Sequence, residues 1–439
     1  MASQPVSDVK TPVPQARAAG RRGVVGGAIG TFVEFYDYGI YGYMTGSITR
    51  LFFPSGNYTT TLLLTYAGFA VTFLIRPLGG VVCGYLGDRI GRRRMLTVTV
   101  FIISAATAGI GLLGTYAAIG IAAPLLLFSL RLIQGFSAGG EVSGANLFIG
   151  EHAPPRKRAF YMSWMGASAS LALLCGTLLA NAIVHWAGQD AMNSWAWRIP
   201  FLVAAPLGVL GWFLRKRLDE SPVFKAVVKQ EQVSGNPLKM IFRREHRRAL
   251  WLAFLLPLLN SAGYYVIFIY LPGYLVDGLG YSQSASLTLA SVVLAVSVGT
   301  IPLAGILADR FGRKRLLAGS AVLILVAAYP CFMLLAHGSF AAGVLGGAVL
   351  ATLFSGHQGV VHAALIELFS TKVRFSGHGV AYNIQTAIFG GGAPLLCTAL
   401  IQATGNHAVP AFYVMITAVG TLAAVWRIRE TRGVSLSDI

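Results

Sequence analysis

Gly84-Tyr85-Leu86-Gly87-Asp88-Arg89-Ile90-Gly91-Arg92-Arg93-Arg94 returns once in the chain, as Gly305-Ile306-Leu307-Ala308-Asp309-Arg310-Phe311-Gly312-Arg313-Lys314-Arg315. The two aspartates stand 221 positions apart in a chain of 439 residues, so the polypeptide is a doubled unit. Each copy joins one long apolar segment to the next. Its residue types suit a short link between two membrane helices: glycines permit a tight turn, and the arginines hold that turn on the cytoplasmic side.

A mean hydropathy of +0.66, with 55% apolar and 11% charged residues, lies outside the soluble range, where charge runs near ~25%. Twelve apolar stretches lie near 24–48, 62–86, 95–115, 120–149, 160–185, 197–214, 249–276, 284–307, 316–336, 340–367, 377–403 and 408–427. Each is long enough to cross the hydrocarbon core as a helix, which takes roughly 17–25 residues. Membrane strands would alternate apolar and polar residues, and these stretches are continuously apolar.

A net charge of +18 would point to nucleic acid in a soluble protein, but its placement points elsewhere. Of 34 Lys and Arg, 30 fall in 1–22, 88–94, 156–158, 215–248, 310–315, 372–374 and 427–439. These are the segments that an even number of spans leaves on one side, so both termini are expected to be cytoplasmic. Basic clusters there suit an anionic leaflet rather than nucleic acid. The expected architecture is an all-α membrane protein of twelve transmembrane helices in two parallel six-helix halves. A cytoplasmic tail (1–22) precedes the first half (23–214), a cytoplasmic linker (215–248) the second half (249–427), and a short cytoplasmic tail (428–439) closes the chain.

Cys83, Cys175, Cys331 and Cys397 sit singly inside apolar spans, so neither a disulfide framework nor a metal site follows. The apolar run after Arg21-Arg22 is too long for a signal peptide and reads as a retained first span. Gly135-Phe136-Ser137-Ala138-Gly139 matches the hydrolase nucleophile elbow literally. That motif needs a strand, a sharp turn and a helix; here it lies inside an apolar span, where its glycines are better read as close-packing surface. There is no Walker phosphate loop.

The chemistry-bearing residues are the polar ones inside the spans. Span 1 carries Glu34 and Asp37 among Tyr38 and Tyr41, all within about one third of a helix's circumference. Glu34 lies ~16 Å along the axis from Gly23, near mid-bilayer. Acids at that depth mark a functional route by default; the plainer alternative is that one of them pairs with an arginine to lock helices together. Span 2 holds Arg76, and span 4 sets Arg131, Gln134 and Glu141 on one side. Span 7 offers Asn260, Tyr264 and Tyr265, span 10 His357, Gln358 and His362, and span 11 Asn383 and Gln385. His357 and His362 are five apart, about 140° around a helix, so they are not a metal pair.

These motifs resemble the major facilitator superfamily: the two Gly…Asp-Arg…Gly-Arg blocks, Arg131-Leu-Ile-Gln134-Gly135, and Asp219-Glu220-Ser221-Pro222. Glu34-Phe-Tyr-Asp37-Tyr38-Gly39, Arg76-Pro77-Leu78-Gly79-Gly80, Gly135-Phe-Ser-Ala-Gly-Gly140-Glu141 and Trp197-Arg198-Ile199-Pro200-Phe201 are similar to its metabolite:proton symporter branch, which carries α-ketoglutarate, citrate, shikimate, and proline or betaine. The resemblance covers nearly all of 23–432. It implies two halves rocking about one central site, alternately open to each face. It further implies a cytoplasmic gate of Asp88, Arg89, Arg92, Glu151, Arg156, Glu220, Asp309, Arg310, Arg313, Glu367, Arg374 and Glu430.

For proton coupling, Glu34 and Asp37 come first and Glu141 next, because burial favours the protonated carboxyl and an approaching arginine the charged one. Substrate-binding candidates are Tyr38, Tyr41, Arg76, Arg131, Gln134, Asn260, Tyr264, Tyr265, His362, Asn383 and Gln385. The arginines suit a carboxylate and the tyrosines a quaternary ammonium. Span 5 reads Ser163-Trp164-Met165-Gly166-Ala167-Ser168, without the acid associated with betaine carriers or the Gln of citrate and ketoglutarate carriers. A C-terminal coiled coil is also absent, which tilts the expectation toward uptake of a small organic acid, with a zwitterionic compatible solute as the alternative. The expected protein is a transporter and not an enzyme. It is a monomer of the bacterial inner membrane that uses no cofactor or metal, driven by the proton gradient, with the substrate, H+ and the bilayer as partners. A transporter-like sensor or a membrane enzyme is the remote rival.

Overall fold

Long apolar segments with no polar groups for the lipid to satisfy must close their backbone hydrogen bonds internally, and helices do so. The computed structural model describes residues 13–53, 57–90, 92–216, 241–370 and 373–436, with side chains from residue 24 onward except 84–85 and 87–93. The described residues are helical almost throughout, with no strand among them. Helix α1 runs Val13–Tyr43. Eleven further helices are long and apolar enough to cross a membrane: α2 Tyr58–Cys83, α3 Arg94–Leu112, α4 Ala122–His152, α5 Pro155–Ala196, α6 Arg198–Lys216, α7 Arg244–Gly278, α8 Gln283–Phe311, α9 Arg313–Ala336, α10 Phe340–Ile366, α11 Arg374–Thr404 and α12 Val409–Arg427. With its two carboxylates α1 is the least apolar of the twelve, and both are buried.

The first half packs α1 on α5, α2 on α4 and α3 on α6, and the second repeats this with α7 on α11, α8 on α10 and α9 on α12. Between the halves, α5 lies along α8 and α2 along α11. Adding six to each helix number exchanges these two contacts, as expected for parallel repeats related by an axis along the membrane normal.

Two local devices place the site. The glycines of α4 bring it against α2 at backbone distance: a Cβ on Gly135 would overlap the Thr72 carbonyl, and one on Gly139 the Arg76 carbonyl. The elbow-like sequence is therefore helix-packing surface, as small residues in membrane helices commonly are. In the second half, α7 widens into π turns at Tyr265–Tyr270 and Tyr274–Gly278, and α11 does so at Ala387–Gly391, just before Pro394. Such bulges bend a helix and re-aim its side chains. Asn260, Ser261 and Tyr264 stand immediately before the first of them.

At the repeated turn, Gly312 takes φ 105°, a conformation that strains any residue with a side chain. It lets α9 start directly after α8. Glu430 follows α12 and accepts hydrogen bonds from the backbone N–H of Arg313 and Lys314, each 3.0 Å, at the positive end of α9. This end of the bundle, with the 155–158 and 309–315 turns, is called the basic face below.

Candidate functional site

Three acid and arginine pairs run through the first half. Glu34 on α1 lies 3.1 Å from Arg76. Tyr38 donates to Glu34 at 3.2 Å and accepts from Arg76 at 3.1 Å, closing a triangle. One helical turn along, Asp37 accepts from Thr107 at 2.8 Å and from Gln134, with Arg131 at 3.4 Å. The Arg131 guanidinium also stacks 4.0 Å from the Tyr41 ring centroid, and Tyr41 donates to the Thr65 carbonyl. Deeper toward the basic face, Glu141 is gripped by both terminal nitrogens of Arg215 and accepts from Thr99 at 2.9 Å. All six charged side chains are buried, where an ion pair holds only when its charges find each other and further hydrogen bonds.

Between the halves lies a cavity of about 20 Å³, lined on the first half by Thr31, Phe35, Met165 and Gly166 and on the second by Asn260, Ser261, Tyr264, Tyr265, Gln358, His362 and Tyr382. In this closed conformation that volume holds a water molecule or two, so a larger solute could enter only once the halves move apart. The Oη of Tyr264, Oδ1 of Asn260 and Oε1 of Gln358 are buried without a hydrogen-bond partner in the protein. Groups of this kind cost free energy unless something polar reaches them. Aromatic rings pack edge to face around the cavity, Phe35 against Tyr264 at 5.0 Å and Tyr264 against Tyr265 at 5.7 Å.

Both ends of the cavity are shut. Toward the basic face, Asn146 meets His362 at 3.3 Å, Ser143 meets His378 at 3.3 Å, and Asn383 donates to the Gly139 carbonyl at 3.1 Å. Toward the opposite face, Tyr43 donates to the Phe268 carbonyl at 3.3 Å and Tyr58 to Asp277 at 3.0 Å. Every one of these bonds joins the two halves, so the conformation is occluded.

At the basic face itself, Asp309 accepts from the N–H groups of Ala159 and Phe160 at the start of the α5 helix. Arg158 of the first half reaches Glu367 of the second at 2.6 Å, and Arg313 joins Glu367 to Asp309. The sequence reading named Arg156 here. That residue is exposed, and the buried partner two positions on is Arg158. Arg310 is exposed and lies against Phe311. Arg374 donates to the Ile366, Phe369 and Leu436 carbonyls within its own half, and Glu430 caps α9. Glu151 is half-buried at the end of α4. The side chains of Asp88, Arg89 and Arg92, and all of Glu220, lie outside the described residues.

Of the substrate candidates, Asn260, Tyr264, Tyr265 and His362 line the cavity. Tyr38 and Arg76 form the layer around Glu34, Tyr41, Arg131 and Gln134 the layer around Asp37, and Gln385 accepts from Ser261 beneath the lining. Thr99, Thr107, Arg158, Arg215, Ser261 and Tyr382 join the site without a distinguishing mark in the sequence. A lone Thr in an apolar span carries no signal, and Arg215 reads as the first residue of a basic linker. Among the described residues no group of His, Cys, Asp or Glu converges as a metal site, and all four cysteines are free.

Twelve packed spans in two equivalent halves, closed around a polar cavity at mid-depth, define a multi-pass membrane carrier. The model of the Major Facilitator Superfamily matches residues 27–301, and that of sugar (and other) transporters matches 225–439. The chain is 35% identical over 422 residues to the glycine betaine/proline/ectoine/pipecolic acid transporter of Dickeya dadantii, covering 94% of this chain and 83% of that one. It is 34% identical to the proline/betaine transporter of Escherichia coli, covering 94% and 84%. The ectoine/proline transporter of Corynebacterium glutamicum is 36% identical over 409 residues, covering 90% and 81%. Among solved structures, a proton:xylose symporter bound to 6-bromo-6-deoxy-D-glucose superposes with a TM-score of 0.78 over 96% of this chain and 98% of that one, at 19% identity. The chain belongs to the major facilitator superfamily. It is a transporter, and not an enzyme.

Proposed function

We propose that this protein is a proton-coupled symporter importing a zwitterionic compatible solute, of the proline or betaine kind, by alternating access. The observation that carries this reading is a mid-membrane cavity that sets aromatic rings beside unpartnered amide and phenol oxygens, one layer away from the Glu34–Arg76 pair. Ring faces suit a quaternary or secondary ammonium, and an arginine suits its carboxylate. Relatives named for betaine, proline and ectoine, alike over nine-tenths of the chain, support the same class. The compatible solute thus replaces the organic acid favoured from sequence.

Glu34, with Asp37 beside it, carries the coupled proton, and Glu141 is the reserve candidate. The basic face is cytoplasmic, as its arginines require, so both termini are cytoplasmic too. The protein resides in the bacterial inner membrane and works as a monomer. The proton gradient is its energy source, and no cofactor takes part. The Asp309, Arg158, Glu367 and Arg313 cluster holds the cytoplasmic side shut and releases it when the halves rock.

Uptake of labelled glycine betaine, proline, ectoine and α-ketoglutarate into proteoliposomes, with and without an imposed inward proton gradient, tests this. Gradient-dependent accumulation of a zwitterion is the expected result. Accumulation of α-ketoglutarate alone would restore the organic-acid reading.

A further inference from the structure

The outer surface of the first half carries a groove between α3 and α6 of about 450 Å³, lined by Thr97, Val98 and Phe101 from α3 and Val209 and Trp212 from α6. These side chains face outward: Phe101 is 56% exposed, Val209 60% and Trp212 39%. On two membrane-spanning helices such a surface faces acyl chains. Lipid is everywhere along a span, so an apolar groove alone selects nothing. Any selectivity must come from what stands at its ends.

At the basic end stand, among the described residues, two cations. Lys216 is exposed at the end of α6, one turn beyond Trp212, and its Nζ lies 4.9 Å from the Trp212 ring centroid. Arg94 is exposed at the start of α3, three positions before Thr97 and so on the same helix face. The neighbouring Arg215 is turned inward to Glu141 and takes no part. The cation over the indole face is held in place before any ligand arrives, and all the lining residues are neutral. The groove accordingly has an apolar floor, an aromatic wall and a positive rim.

We infer that this groove is a binding site for a single anionic phospholipid of the leaflet at the basic face, with one acyl chain between α3 and α6 and the phosphate held by Lys216 and Arg94. The site does not depend on which solute the carrier moves. It would tie the packing of α3 and α6, and through them the Glu141–Arg215 pair beneath, to the anionic content of the membrane.

Native mass spectrometry of the full chain released from detergent with phosphatidylglycerol or phosphatidylcholine of identical acyl chains tests this. Each cation at a membrane surface contributes on the order of fivefold to an anionic headgroup, and the two together about thirtyfold. The wild type should therefore retain one phosphatidylglycerol in preference to phosphatidylcholine by a factor of that order. Lys216→Gln and Arg94→Gln together should bring the ratio near one. Val209→Trp, which fills the groove from an exposed position, should lower retention of both lipids. Equal retention by the wild type would overturn the inference, as would a preference that survives the double substitution or a second copy of the chain covering this face. Because the variants lie on exposed side chains, their uptake activity reports folding independently, and failure of the transport reading would leave this result untouched.

Discussion

The two halves share a fold but differ in how they handle charge. Around the cavity the first half buries Glu34 with Arg76, Asp37 with Arg131 and Glu141 with Arg215. The second half offers neutral groups there, Asn260, Ser261, Gln358, His362 and Tyr382. Its own ion pairs among the described residues, Arg313 with the half-buried Asp309 and with the buried Glu367, gather at the basic face. A symmetric pair of repeats has thus divided its charge: one half buries ion pairs, the other lines the cavity with neutral groups, the division on which the proposed proton and solute roles rest.

The largest expected effect breaks the charged side of that contrast. Arg131→Met leaves Asp37 buried without its cation and should cost about 3–5 kcal/mol, whereas adding Asp37→Asn to the same chain should recover most of the loss. Unfolding of the purified protein in detergent measures both, and a double variant as unstable as the single one would mean the pair is not the unit of stability. Next, Gly135→Val drives a side chain into the Thr72 carbonyl, an overpacking worth about 1–3 kcal/mol in the same assay. The equivalent test on the neutral side is Gln358→Ala or Asn260→Ala. Under the proposed function each would remove one hydrogen bond to solute, about 0.5–1.5 kcal/mol, so KM should rise up to about tenfold with thermal stability unchanged. Stability falling while KM holds would turn these residues into packing groups.

A smaller effect is expected at the basic face. Arg158→Ala removes the link to Glu367 and should make cysteines placed near the cavity floor react faster with reagents from that side, whereas Arg156→Ala, at an exposed position, should stay within about 0.5 kcal/mol of wild type in stability. Equal labelling of the two variants would remove Arg158 from the gate.

Much of this was legible in the sequence because membrane folds leave strong marks. Spans announce themselves by length and continuous apolarity, the doubling by two copies of one turn, and buried acids by their cost. What escapes the sequence is pairing across helices. Arg215 belongs to Glu141, which lies 74 positions away, and nothing local in Arg215-Lys216 distinguishes the inward arginine from the outward lysine beside it. The choice between Arg156 and Arg158 turned on the same point, since a 3₁₀ turn at Pro155–Lys157 decides which basic residue faces inward. Tyr382 reaches the cavity through the register of α11, and the proposed substrate class rests on whole-chain likeness rather than on any motif.

The most direct measurement compares wild type with Glu34→Gln in proteoliposomes, following gradient-driven accumulation of labelled glycine betaine beside its exchange across the membrane at equal pH. Accumulation should vanish while exchange persists, because the solute site remains and only the proton carrier is gone. Undiminished accumulation by Glu34→Gln would contradict proton coupling at this carboxylate.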